Sequence, residues 1–190
     1  MLDFVLNLDN NITQLVIYII PRNRFFNLFF LFFSEKGSLV LILLIIVLTL
    51  ILFEGKRDQK FFISLFLIFL LTFLTNDVFL KTLFKRSRPD QLTIDNNPLT
   101  VKNLCPKDFS FPSGHAATAF AAAASLSFFD KKRKKFYYSV ALIIGLSRIY
   151  LSCHFFFDVV IGGLIGYLIS KIALSGIKSH SNKQPSAQIM

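Results

Sequence analysis

Three short clusters in the third quarter of the chain mix cations with imidazoles and small hydrogen-bonding residues. They are KTLFKRSRP at Lys81 to Pro89, FPSGH at Phe111 to His115, and SRIYLSCHFFFD at Ser147 to Asp158. Guanidinium and ammonium groups neutralise phosphate oxygens, and an imidazole can attack phosphorus or move a proton. A site that gathers Lys81, Arg88 and Arg148 beside His115 and His154 therefore has the residue types to bind a phosphoryl group and cleave it. His154 and Asp158 stand four apart, on one face of a helix. A metal centre is not expected, because His115, His154 and His180 lack ligand spacing with acidic partners and the surrounding cations would repel a divalent ion. No cofactor is expected either.

The elements that position these residues are apolar. Of 190 residues 54% are hydrophobic and the mean hydropathy is +0.59, which places a single-domain chain outside the soluble range and in a membrane. The net charge of +10 sits in short runs between apolar segments, the pattern of loops touching anionic headgroups; nucleic acid is not an expected partner. With no Trp, the interfacial anchors fall to Tyr18, Tyr137, Tyr138, Tyr150 and Tyr167.

Residues 1–36 hold two apolar patches, Ile12 to Ile20 and Phe25 to Phe33, split by Pro21, Arg22, Asn23 and Arg24. Neither reaches the roughly 20 residues that a span needs. Joining them would put two Arg and a Pro near the midplane, at a few kcal/mol per charge, so two interfacial or re-entrant helices are expected. A cleavable signal peptide is not, since Asp3 and Asp9 stand where a charged n-region would carry cations.

A membrane domain follows over residues 37–174, with spans at Gly37 to Phe53, Phe61 to about Leu80, the Pro-Ser-Gly-His cluster through Phe129, Phe136 to about Leu151, and Phe155 to Leu174. The expected fold is thus all-α and integral to the membrane, a bundle of about five transmembrane helices with N-terminal interfacial or re-entrant helices. Asp90 to Ser110 reads as a loop shaping the mouth of the site. The Ala-rich third span belongs inside the bundle, Gly162 and Gly166 form a small-residue packing face, and residues 175–190 read as a polar, disordered tail. Five spans bring all three clusters to one side. The dense KKRKK run lies on the other, which the positive-inside rule makes cytoplasmic.

Asp77 can pair with Lys81 one turn on, either as a structural ion pair or to tune the lysine. Lys85 and Arg86 read as headgroup contacts. Cys105 and Cys153 both fall on the outer side; they either form a disulfide closing a loop of about 50 residues or remain free thiols.

Lys81 with Arg88-Pro89, then Pro112-Ser113-Gly114-His115, then Ser147-Arg148 with His154 and Asp158, resembles the type 2 phosphatidic acid phosphatase superfamily at every motif position. The resemblance implies a metal-independent lipid phosphatase. It makes His154 the nucleophile that forms a phosphohistidine, Asp158 its orienting carboxylate, and His115 the acid that protonates the leaving oxygen and then activates water. Lys81, Arg88, Arg148, Ser113 and the Gly114 N–H would bind the phosphoryl oxygens. The short chain is similar to compact bacterial members of the inner membrane, with the site facing the periplasm or exterior. Its partners would be membrane lipids and a lipid phosphate or diphosphate substrate. Undecaprenyl diphosphate is slightly favoured over phosphatidylglycerophosphate, phosphatidic acid and lipid A. Vanadate-dependent haloperoxidases share the constellation but are soluble. A silent membrane scaffold would be the reading if a motif residue were missing, and none is.

Overall fold

The computed structural model describes residues 2–35, 47–48, 59–89 and 105–181, and every regular element among them is helical. Helix α1 spans Leu2–Ile19 and α2 spans Arg24–Ser34. Pro21 disfavours helical geometry in the residue before it and ends α1. Asn23 then starts α2 by accepting from the Phe26 N–H at 2.9 Å. Helix α3 (Gln59–Phe73), a π-helical segment (Leu74–Leu80) and the single turn α4 (Lys81–Phe84) continue as one rod. Lys85, at φ 48°, turns the chain out of it. Helices α5 (Gly114–Phe129), α6 (Lys134–Tyr150) and α7 (Phe156–Ser181) complete the bundle.

Helix α5 is the axis, packed by α3, α6 and α7. Its small side chains are the reason: Ala116, Ala117, Ala119, Ala121, Ala123 and Ala124 are all buried, so neighbouring backbones come close. At Gly162 of α7 an added Cβ would lie 2.5 Å from the Ser113 carbonyl oxygen, and one at Gly166 would collide with the Ala117 backbone. The small-residue face read from the sequence is thus the α5–α7 crossing. On the opposite flank Phe61 meets Phe129 edge-on at 4.9 Å, within a core that includes Leu65, Leu126 and Ile144.

Among the described residues two stretches are long and apolar enough to cross a bilayer, Phe61–Phe84 and Phe156–Gly176. Both turn large apolar side chains outward, with Phe66 66% and Ile172 72% exposed. Helices α5 and α6 have 16 and 17 residues, about 24 to 26 Å of rise against a hydrocarbon core of about 30 Å. The expected span Gly37 to Phe53 lies outside the described residues apart from positions 47–48. The described residues therefore support two of the five expected spans by length and hydropathy.

Two expectations are corrected. Residues 175–181 continue α7 rather than starting a loose tail, with the Ser175 hydroxyl donating back to the Ile172 carbonyl at 2.7 Å; residues 182–190 lie outside the description. Tyr137 and Tyr150 are buried inside the protein, not interfacial anchors. Tyr137 donates to Asp130 Oδ2 at 2.6 Å and Tyr150 to Asn27 Oδ1 at 2.6 Å. The N-terminal helices, expected as interfacial or re-entrant, are tied to the helix ends that carry the motifs. Asp9 Oδ1 accepts from the Phe157 N–H at 2.8 Å and Thr13 Oγ1 from the Phe156 N–H at 2.9 Å, so α1 caps α7 from outside. Phe30 of α2 packs on Tyr150 with ring centroids 4.5 Å apart.

Candidate active site

The end of α6 explains why arginine and histidine are six apart. The chain from Ser147 folds into a tight turn in which the N–H groups of Cys153 and His154 donate to the Arg148 carbonyl at 3.0 and 3.2 Å. Ser152 adopts φ 54° to close it. Both side chains are thereby sunk into the protein, Arg148 1% and His154 2% exposed. Arg148 Nη1 donates to the Ser34 carbonyl at 3.2 Å and to the Ser34 hydroxyl, while its Nε and Nη2 have no hydrogen-bond partner among the described residues. A buried guanidinium left this way is destabilised until an anion arrives.

Arg88 Nη1 lies 3.2 Å from His154 Nε2 and also donates to the Cys153 carbonyl at 2.6 Å. A guanidinium can only donate, so Nε2 carries the lone pair and the ring proton sits on Nδ1. That nitrogen faces Asp158 Oδ2 at 3.6 Å, longer than a hydrogen bond. Asp158 thus holds the tautomer by charge and aim, its oxygens being occupied by Arg86 Nη1 at 2.7 Å and the Phe155 N–H at 2.9 Å. Burial, then the charges of Arg148, Arg88 and Lys81, hold the imidazole well below its ordinary pKa, against a backbone contact from Ser110. His154 is a neutral base at neutral pH.

Lys81 reaches the site because the π-helical segment inserts an extra residue per turn, its own N–H bonding back to the Asn76 carbonyl. Asn76 is fully buried and its Nδ2 donates to the Pro112 carbonyl at 3.3 Å, which docks the rod on the second motif. The expected Asp77 pair forms at 2.8 Å. Gly114 accommodates that carboxylate: an added Cβ would sit 2.5 Å from Asp77 Oδ1. This is a closer constraint than the phosphate approach expected from the sequence.

Lys81, Arg88, Gly114, His115 and His154 line one cleft of about 290 Å³ together with Phe73, Asp77, Pro106, Asp108 and Thr118. Arg148 and Asp158 lie in the wall behind it. Ser113 is not on the lining. It is fully buried, its hydroxyl caps α5 by accepting from the Ala116 N–H at 3.5 Å, and its N–H donates to the Asp158 carbonyl at 2.9 Å. The positive end of α5, with first-turn N–H groups left open by the helix, borders the cleft beside Gly114 and His115.

Sequence reasoning missed three residues. Arg86, read as a headgroup contact, lies instead between two buried carboxylates. It is 2.7 Å from Asp158 Oδ1 and 2.8 Å from Asp9 Oδ2, with its guanidinium 4.0 Å over the Phe155 ring. Asp9 is its far partner. Asp108 meets both Lys81 and Arg88. Burial would raise the Asp108 pKa, but hydrogen bonds and charge from those two cations win and lower it to about 2. Cys105 and Cys153 form a disulfide with Cα atoms 5.4 Å apart. It fixes the mouth segment to the residue before His154.

The PAP2 superfamily profile matches residues 61–180. The chain is 29% identical over 130 residues to an undecaprenyl-diphosphatase of Sulfolobus acidocaldarius, covering 68% of this chain and 61% of that protein. It superposes with a TM-score of 0.65 on the transmembrane PAP2-type phosphatidylglycerolphosphate phosphatase of Bacillus subtilis, at 26% identity and with 97% and 89% of the two chains covered. The superposition on Aquifex aeolicus LpxE gives 0.63 at 30% identity, covering 88% and 95%.

Proposed function

Because the chain belongs to the PAP2 superfamily, we propose that it is a membrane phosphatase that hydrolyses a lipid phosphate or diphosphate through a phosphohistidine. The observation that carries this reading is the pairing of a buried, neutral His154 with the unpartnered Nε and Nη2 of Arg148. A phosphoryl group would satisfy the guanidinium while standing before the lone pair of Nε2.

In the first step Nε2 attacks the terminal phosphorus and its bond to the leaving oxygen breaks, the lipid oxygen of a monophosphate or the bridging oxygen of a diphosphate. His115 gives its proton to that oxygen. Lys81, Arg88 and Arg148 neutralise the phosphoryl oxygens as charge builds on them. The His154 ring, now cationic, is balanced by Asp158, whose other oxygen Arg86 holds. In the second step water attacks the phosphohistidine, His115 takes the proton, and orthophosphate leaves with Nε2 restored. The residues supply acid, base, nucleophile and charge, so no metal enters either step.

The relatives carry different substrates in their names, and we favour undecaprenyl diphosphate over phosphatidylglycerophosphate, phosphatidic acid or lipid A. The site would face the exterior of a bacterial inner membrane, a placement supported by the disulfide at its mouth. The test is phosphate release by purified protein in detergent from a panel of these lipids, with excess EDTA and with His154→Ala as control. Activity on at least one lipid that survives EDTA and is lost in His154→Ala is expected. Loss on chelation restored by Mg²⁺ or Zn²⁺ would overturn the mechanism.

A further inference from the structure

Asp108 pairs with two of the three cations to which the phosphatase reading assigns the phosphoryl oxygens. Its Oδ2 accepts from Lys81 Nζ at 2.5 Å and its Oδ1 meets Arg88 Nη2. Two of the three cations that the chemistry requires are thus closed by a carboxylate of the chain itself. The side chains of Lys81 and Arg88 are only 8% and 11% exposed, whereas that of Asp108 is 45% exposed. The cations belong to the wall, and the carboxylate rests on them from the open side of the cleft.

The backbone that carries Asp108 is held at both ends. Cys105 is bridged to Cys153. The Ser110 N–H donates to the Arg86 carbonyl at 2.8 Å and its hydroxyl to the Ser87 carbonyl at 2.9 Å. Arg88 Nε donates to the Asp108 carbonyl at 2.9 Å. With the segment strapped down, the side chain has one freedom, rotation about its own bonds into solvent. A carboxylate offers two oxygens to these cations much as a phosphoryl group does. It brings one negative charge, however, and leaves Nε and Nη2 of Arg148 unpaired. A phosphate dianion can satisfy all three cations.

We propose that Asp108 is an internal competitor for the phosphoryl-binding cations, displaced by substrate and returning as orthophosphate leaves. The inference rests on the phosphatase reading above. Its consequence is an affinity for phosphate lowered by the fraction of time the cations are free, so a carboxylate in place nine-tenths of the time weakens binding about tenfold. A residue that merely braced Lys81 and Arg88 would give the opposite sign on removal.

The experiment compares wild type with Asp108→Asn and Asp108→Ala in detergent. It reads the inhibition constant of orthophosphate against lipid-phosphate turnover, with size-exclusion elution as the check on folding. A fall of about tenfold in that constant, with a lower KM, is expected in both variants. In unaltered protein, bound vanadate should raise carbodiimide labelling of Asp108 as read by mass spectrometry. Unchanged or weaker orthophosphate binding in the variants, or labelling indifferent to vanadate, overturns the proposal. A wild type that hydrolyses no lipid phosphate and binds neither anion overturns the phosphatase reading instead.

Discussion

Arg148 is a buried cation bonded to Ser34. Among the described residues two of its nitrogens are buried and unpaired, and replacing buried charged groups by apolar side chains of similar volume is often neutral or stabilising. Arg148→Met should keep or raise the melting temperature while lowering turnover by at least about 10²-fold. It should also lose the thermal stabilisation that vanadate gives wild type. A large drop in melting temperature without ligand would mean that the bond to Ser34 is the residue's main purpose. His154 carries a second prediction. Its folded pKa lies below the unfolded value of about 6.5, so below that pH the unfolded chain takes up a proton that the folded chain refuses. Stability should therefore fall as pH drops from about 6.5 toward the folded pKa. In isotope-labelled histidine spectra the resonance missing from His154→Gln should not titrate between about pH 6 and 8. Titration near 6.5 would show that it is not the neutral base described. At this scale the motif residues were legible because the chemistry dictates their types and the helical turn their spacing. Asp108 was not: Asp90, Asp95 and Asp108 stand in one polar segment, and nothing in their order says which one folds back onto Lys81, 27 residues away.

At the scale of elements, the two ends of the site are joined through Arg86. This guanidinium links Asp9 of α1 to Asp158 of α7, and partners of this kind cost roughly 10- to 100-fold when removed from metal-site histidines, a fair guide for an imidazole nucleophile. Arg86→Gln should lower kcat by about that factor with little change in KM, because it acts on the aim of His154 and not on substrate. An equal loss in Asp9→Asn, with a lower melting temperature from the weakened cap on α7, would place α1 in the same unit. Full activity in both variants would separate the network from catalysis. Helix boundaries after residue 59 were legible to within a few residues because apolar runs end at charges, except at the end of α7, which runs past the expected Leu174 to Ser181. The π-helical segment was not, since no residue type in LTNDVFL marks the wider bonding that the Lys81 N–H makes to the Asn76 carbonyl. Nor was the use of the N-terminal helices, whose short apolar patches describe a surface and not its partner.

For the whole molecule, the disulfide spans 48 positions, which in chain-entropy terms limits the unfolded state by about 4 kcal/mol. Protein purified without reductant should melt higher than after reduction, and Cys105→Ser should abolish the difference. Two thiols titrating in unreduced, denatured protein from native membranes would contradict it. A Cys placed at Lys107 should be labelled from outside intact membranes, and one at Lys132 only after permeabilisation; the reverse would turn the site to the cytoplasm. That both ends of the bundle face as they do was argued from the charge of KKRKK, and the packing itself has no up or down.

The cap that α1 places on α7 also sets a clock. Asp9 and Thr13 leave the ribosome long before the N–H groups they bind, which belong to residues 148 and 143 positions later. Arg86 can meet Asp9 Oδ2 earlier, but until α7 has been made Asp9 Oδ1 and Thr13 have no N–H to cap, so the nucleophile cannot be aimed before then. A fragment of residues 1–35 supplied separately to residues 36–190 should then restore turnover that the longer piece lacks alone, as an early part that is fitted late.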